Sequence, residues 1–338
     1  MEKPVLNALF TAHMVLQADK PMRIFGTGNG TVRVTLEGQT ALAKHSGGQW
    51  LAELPAMPAG GPYSLTVDLD GTVTVIEDVW VGEVIVLAGQ SNLQFKLSTS
   101  TTPPDKWRDV PNLRLFSSPR LEAGEPFKPE DGWVVCTKEN AGNWPAIGYL
   151  TGEILARCKD VAVGVITAYQ GASVIETWVP EGLFAQNGIF LTAEEKSYSH
   201  HCPEYRIWNE DGTLYHYVVE KLIPYSLGHV VWYQGESDAS PAESKVYAQE
   251  LALLIDCWRA GFLDETLPFI VVQLADLDQN AGEWLTAWQG VQQAQLDVQQ
   301  LRGGVVTVIC RDVCESYDIH PPRKDLLSER IASVIMQR

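Results

Sequence analysis

The sequence predicts an α/β protein, a helix-covered parallel sheet preceded by a small all-β unit, and three observations predict it. Short runs of period-two alternation separated by turn residues fill the first 78 positions. After Val79, apolar runs alternate with longer stretches of helical periodicity. Several of those runs end in polar clusters, as strands of an open α/β sheet do where they carry a site. The chain therefore divides into residues 1–78, a β-sandwich or jelly-roll, and residues 79–338, a three-layer α/β/α unit around a parallel sheet.

In the first unit, Thr31–Leu36, Tyr63–Leu69 and Thr72–Ile76 alternate apolar and polar residues. The turn signals Gly28-Asn29-Gly30, Gly47-Gly48, Pro58–Pro62 and Asp70-Gly71 separate them. His13 and His45 stand isolated there and read as scaffold. In the second unit Val84–Ala88, closed by Gly89, reads as a strand buried on both faces. Ala146–Cys158 reads as helix and Val161–Thr167 as strand. Then follow Thr213–Pro224, Val230–Tyr233, Lys245–Arg259, Phe269–Leu274, Glu283–Gln299 and Val305–Ile309. The last segment, Lys324–Met336, sets Leu326, Leu327, Ile331, Val334 and Ile335 on one helical face. The less regular stretch 182–212 reads as a loop or lid over one end of the sheet, with His200-His201 a solvated feature of it.

Among 338 residues, 45% are hydrophobic and 20% charged, the balance of an ordinary globular protein. The net charge of −17 excludes nucleic acid and anionic membrane surfaces as partners, because both demand basic patches. No apolar stretch is long enough to span a bilayer, and the amino terminus lacks the apolar core of a signal peptide. The six cysteines are scattered without metal-ligand spacing, so they read as reduced thiols of a cytoplasmic protein, and no metal is expected.

Four polar clusters follow apolar runs in the second unit: Gly89-Gln90-Ser91-Asn92, Tyr169-Gln170-Gly171-Ala172-Ser173, Gln234-Gly235-Glu236-Ser237-Asp238 and Tyr317-Asp318-Ile319-His320-Pro321. A parallel sheet would deliver them to one edge. Serine, histidine and carboxylate there are the parts of an acyl-transfer site, with backbone N–H groups and amides as oxyanion donors.

Gly89–Asn92, Gln234–Ser237 and Asp318–Pro321 resemble the sequence blocks of the SGNH hydrolase superfamily, and more narrowly its sialate O-acetylesterase branch of carbohydrate acetylesterases. His13–Gln17, Pro58–Tyr63, Val79–Val84, Ile175–Trp178 and Leu222–Tyr225 extend the resemblance over most of the chain. It implies a flavodoxin-like catalytic fold and an esterase that uses no cofactor. It also implies Ser91 as nucleophile, His320 as general base and Asp318 as its partner, with Asp312, Glu315 and Glu236 as competing carboxylates. The oxyanion hole is expected from the Ser91 N–H, Gly171 and Gln234, and substrate contacts from Gln90, Asn92, Glu236 and Trp178. The chain departs from the family pattern at Leu93, at Gln170 where a glycine is usual, and at His216. The implied substrate is an O-acetylated sialic acid or related sugar, with acetylated xylan or mannan oligosaccharides as the alternative. The four clusters hold no arginine, which favours a neutral sugar. Trp178, Trp232 and Tyr233 are either sugar platforms or core. A non-catalytic carbohydrate-binding protein is the reading of another class, and the presence of Ser91, His320 and Asp318 together weighs against it.

Overall fold

The computed structural model describes residues 3–121 and 132–337. Eight strands precede position 72 among the described residues: β1 (Val5–Leu6), β2 (Val15–Gln17), β3 (Met22–Thr27), β4 (Val32–Leu36), β5 (Gln39–Leu42), β6 (Lys44–Ser46), β7 (Gln49–Leu54) and β8 (Gly60–Leu69). The period-two pattern has its expected consequence. Val32, Val34 and Leu36 of β4 and Trp50, Ala52 and Leu54 of β7 point inward, with more exposed residues between them. β1, β3, β7 and β6 form an antiparallel sheet in that order, while β4 pairs with β5 and β8.

β9 (Thr72–Gly89) then runs for 18 residues without a break, straight through the boundary expected at residue 78. Its first half pairs antiparallel with β8, Trp80–Gly82 lie parallel to β2, and its second half belongs to the central sheet. The switch from alternating to continuous apolar residues therefore marks a change in covering. The strand leaves a region where one face is open and enters one where helices cover both. One hydrophobic core runs through both parts of the chain.

The central sheet adds β10 (Val110–Ser117), β11 (Trp133–Cys136), β12 (Val163–Tyr169), β13 (His229–Tyr233), β14 (Phe269–Val272) and β15 (Val305–Val308), in the order β11-β10-β12-β9-β13-β14-β15. Every neighbouring pair is parallel except β10 with β11, so the sheet is mixed. β12-β9-β13-β14-β15 have the 2-1-3-4-5 order of flavodoxin-like sheets, extended at one edge by β10 and β11. The helices Ala146–Lys159 and Asp325–Met336 pack together, as do Glu243–Gly261 and Gly282–Leu301. β10 and β11 escape sequence reading because Pro111 and Arg114 interrupt the apolar pattern of β10. Arg114 is buried, with its guanidinium 4.9 Å over the Trp80 ring and 3.6 Å from Asp78. All six cysteines are free, and no described helix is long and apolar enough to cross a membrane.

Candidate active site

Strand register brings the clusters together. Gly89, the last residue of β9, lies opposite Tyr169 of β12 on one side and Tyr233 of β13 on the other. Three strands thus end level, and the loops that follow them meet where the strand order reverses. Gly89 has φ +138°, and a Cβ there would lie 2.2 Å from the Tyr233 carbonyl oxygen, so only glycine fits this corner. The corner turns the chain into the short helix Ser91–Gln94, which places Ser91 above the sheet edge.

The fourth cluster arrives from farther away, on the loop between β15 and the last helix. It sets His320 Nε2 2.7 Å from Ser91 Oγ, a distance at which the hydroxyl can donate to the ring. The imidazole stacks on Phe95 with ring centroids 6.4 Å apart. Burial, and next the charge of Lys324, hold His320 below the usual histidine range, with Asp318 opposing. At neutral pH the ring is therefore uncharged and can accept a proton.

Asp318 takes the backbone N–H of His320 on Oδ1 at 2.8 Å and influences the ring by charge. The competing carboxylates are engaged elsewhere. Asp312 holds Arg330 at 2.6 Å through both oxygens, Glu315 accepts the Arg323 N–H at 3.2 Å, and Glu236 accepts from Asn92 at 2.6 Å. Burial pushes Glu236 up to about 7, although the Asn92 bond opposes this, and its Oε2 has no partner.

Asn92, expected to touch substrate, is buried and fully committed. Its Nδ2 donates to Glu236 Oε1 and, at 2.9 Å, to the Ile319 carbonyl, and its Oδ1 accepts from Lys324 Nζ at 2.7 Å. Gln90 lines the pocket and accepts the Gly235 N–H at 3.3 Å. Gln234 is turned inward: its Nε2 bonds Asp238 and the Ser173 carbonyl, and its Oε1 accepts from Tyr247 at 2.7 Å, which leaves no donor for an oxyanion. Gly171 does sit beside Ser91, but its N–H is held at 3.1 Å by Gln94 Oε1.

Gln90, Ser91, Gln94, Gly171, Glu236 and His320 line a cavity of about 1150 Å³. Lys96 and Arg120 line it, as do Tyr198 and Trp208 from the 182–212 stretch, which is a wall of the pocket. Gln170, at the position where glycine was expected, accepts the Leu121 N–H at 3.1 Å and so anchors the segment that carries Arg120. Trp178, Trp232 and Tyr233 are core. All three are fully buried, with Trp178 donating to Ser173 Oγ and packed edge-on against Trp232. Helical spacing could have found Gln94, three residues after Ser91. Lys324 gave no such signal, because a lysine at a helix start ordinarily reads as solvated.

Two histidine readings are also resolved. His216 pairs with Glu220 on the surface, away from the pocket. His200 is not solvated. Its side chain is 7% exposed, with Nδ1 3.2 Å from Glu176 and Nε2 2.8 Å from Glu243. Burial alone would lower its pKa, but the two carboxylates outweigh that and hold it at about 9.

Residues 81–318 match the family model described as carbohydrate esterase, sialic acid-specific acetylesterase. The sialate O-acetylesterase of Rattus norvegicus is 26% identical over 318 residues, covering 78% of this chain and 58% of that protein. The Homo sapiens sialate O-acetylesterase is 27% identical over 308 residues, covering 80% and 57%. The chain thus spans little more than half the length of these relatives. A carbohydrate acetylesterase from Xanthomonas citri superposes with a TM-score of 0.80 at 30% identity, covering 97% of this chain and 73% of that one. An Arabidopsis thaliana protein, 15% identical with a TM-score of 0.51 and covering 76% of this chain and 98% of that one, shares the fold. A serine and a histidine in contact at the switch point of such a sheet, inside a family match of this extent, place the chain in the sialic acid-specific acetylesterase family of carbohydrate esterases.

Proposed function

We propose that the protein is a serine esterase that removes O-acetyl groups from an acidic sugar of the sialic acid type, through an acetyl-Ser91 intermediate. The observation that carries this reading is the 2.7 Å contact between Ser91 Oγ and a neutral His320 Nε2 at the floor of the pocket. As Oγ attacks the acetyl carbonyl, Nε2 takes its proton. The tetrahedral intermediate then collapses, and the same proton passes to the departing sugar oxygen. Water, deprotonated by His320, cleaves the acetyl-enzyme in the mirror-image steps. The developing oxyanion is received by the N–H groups of Ser91 and Gly171, once the acyl oxygen has replaced Gln94 Oε1 on Gly171. Each such donor stabilises the transition state by about 3 kcal/mol. Asp318 serves His320 through its main chain and by its charge.

The sugar follows from the cations. On a chain of net charge −17, the described lining of the pocket includes Lys96 and Arg120, and Glu236 in the same lining is raised to about 7. A guanidinium receives a carboxylate on two parallel N–H bonds. Arg120 comes from the segment beyond β10, outside the four clusters, and its place in the pocket lining supports an acidic sugar over a neutral one. Acetate release from O-acetyl sialates and from acetylated xylo- and manno-oligosaccharides tests this. The wild type is expected to favour the sialates, and Arg120→Ala to raise KM for them roughly tenfold while leaving the neutral substrates unchanged. Preference for the neutral sugars would overturn the assignment of the sugar. Equal esterase activity in Ser91→Ala would overturn the enzyme.

A further inference from the structure

Behind Ser91 and His320 lies a group that the reaction itself does not use. Lys324 is fully buried, at 0% exposure, just before the last helix. An ammonium has three donors. Among the described residues Lys324 makes one hydrogen bond, to Asn92 Oδ1 at 2.7 Å, and its ammonium also lies over two aromatic rings, 5.3 Å from the Phe95 centroid and 5.7 Å from that of Tyr233. Burying a lysine on so few partners is costly, so a plain packing role would be filled better by an apolar side chain. We propose that Lys324 is a positioning residue: by fixing the direction of the Asn92 amide it holds the His320 loop against the Ser91 helix.

The argument rests on what an amide can do when turned over. Asparagine oxygen and nitrogen are nearly the same size, so packing alone does not choose between the two orientations. With Oδ1 toward Lys324, both hydrogens of Nδ2 are used, one on Glu236 and one on the Ile319 carbonyl, the residue before His320. Turned over, the amide would set its oxygen against that carbonyl and a carboxyl oxygen, and its N–H₂ against an ammonium. The chain of contacts is therefore Lys324 to Asn92 to Ile319, and it ends one residue from the base.

The second consequence passes through Phe95. Its ring stacks on the His320 imidazole, and the Lys324 ammonium lies 5.3 Å from its centroid. The charged groups that act on His320 are Lys324 and, from its own loop, Asp318. Lys324 in turn feels Cys314, Cys310, Glu236 and Glu315, and Lys96 and Arg120 line the same pocket as the ring. Of these, Lys324 disfavours the imidazolium and Asp318 favours it. Removing the ammonium therefore lets His320 take up its proton at higher pH.

This inference rests on the esterase reading, and the experiment separates the two. In the full chain, kcat, KM and the pH profile of p-nitrophenyl acetate hydrolysis are measured for the wild type, Ser91→Ala, Lys324→Met and Lys324→Gln, with thermal unfolding as a check on folding. Lys324→Met is expected to lose kcat by roughly ten- to a hundredfold with KM within about twofold, and to move the acid limb to higher pH. Lys324→Gln, which can still donate to Asn92, is expected to recover part of kcat but keep the displaced limb. A purely structural lysine would change melting temperature and leave the limb in place, and that result overturns the proposal. If neither variant folds, Asn92→Asp decides, because it keeps a partner for Lys324 and removes the two Nδ2 bonds. Retained kcat in Asn92→Asp overturns the positioning role, and lost kcat at wild-type KM supports it. If the wild type shows no Ser91-dependent hydrolysis, the esterase reading fails first.

Discussion

Two amides near Ser91 show how much depends on where a side chain is turned. Gln234 has the residue type of an oxyanion donor, yet its side-chain atoms are used by Asp238 of its own loop, by the Ser173 carbonyl of the loop after β12 and by Tyr247. Gln94, which carried no expectation, holds the N–H of Gly171 with its side-chain oxygen. An acyl oxygen that enters the hole must displace that bond. A single such bond is worth about 1 kcal/mol net, so Gln94→Ala is expected to raise kcat/KM for p-nitrophenyl acetate by about fivefold. A fall would mean that Gln94 helps to hold the substrate. Sequence motifs made Ser91, Gly171 and His320 legible because backbone position alone brings them together. The directions of Trp178, Gln234 and Asn92 were not legible, because residue type carries no direction, and whether a side chain faces a cavity or the core depends on tertiary neighbours.

At the scale of elements, the 182–212 stretch is a wall held in place by buried charge. Lys196 and His200 both reach Glu176, and His200 also reaches Glu243 at the start of the helix Glu243–Gly261. His200 has a folded-state pKa of about 9, above its unfolded value of 6.5. Its contribution is therefore fully present below the unfolded value and is lost as pH rises through about 9. A shift of this size corresponds to about 3 kcal/mol. Unfolding of wild type and His200→Asn in denaturant should differ by that order near pH 6 and converge near pH 10. An equal gap at both pH values would show that His200 acts by packing alone. The pair His200-His201 read as solvated because the partners of His200 come from distant segments, 24 and 43 positions away in the sequence.

For the whole molecule, the alternating pattern gives way to buried apolar runs near residue 78, and a single strand spans the change. The alternating strands before it and the buried strands after it are both there, but β9 passes through as one continuous element and shares its core with both parts. A chain beginning at residue 79 would lose the antiparallel pairing of β9 with β8 and the pairing of Trp80–Gly82 with β2. It would also lose Tyr225 Oη donating to the Val15 carbonyl at 2.7 Å and Arg23 bonding the Phe262 carbonyl at 3.0 Å. Residues 79–338 alone are therefore expected to aggregate or to lack a cooperative unfolding transition. A soluble fragment with a cooperative transition and esterase activity would show two independent units instead. The central sheet was legible because strands buried on both faces announce themselves as apolar runs. β10 and β11 were not, because the buried Arg114 is matched by Asp78 and Trp80, which adjoin it only in the fold.

The central claim is that Ser91 carries the acetyl group between sugar and water. The most direct measurement is rapid acid quenching of the enzyme during turnover of an O-acetyl sialate, followed by peptide mass spectrometry. The account predicts the added mass of one acetyl group on the peptide that contains Ser91, and none in Ser91→Ala. Acetate released at full rate with Ser91 never modified, or with the acetyl group on another residue, would contradict it.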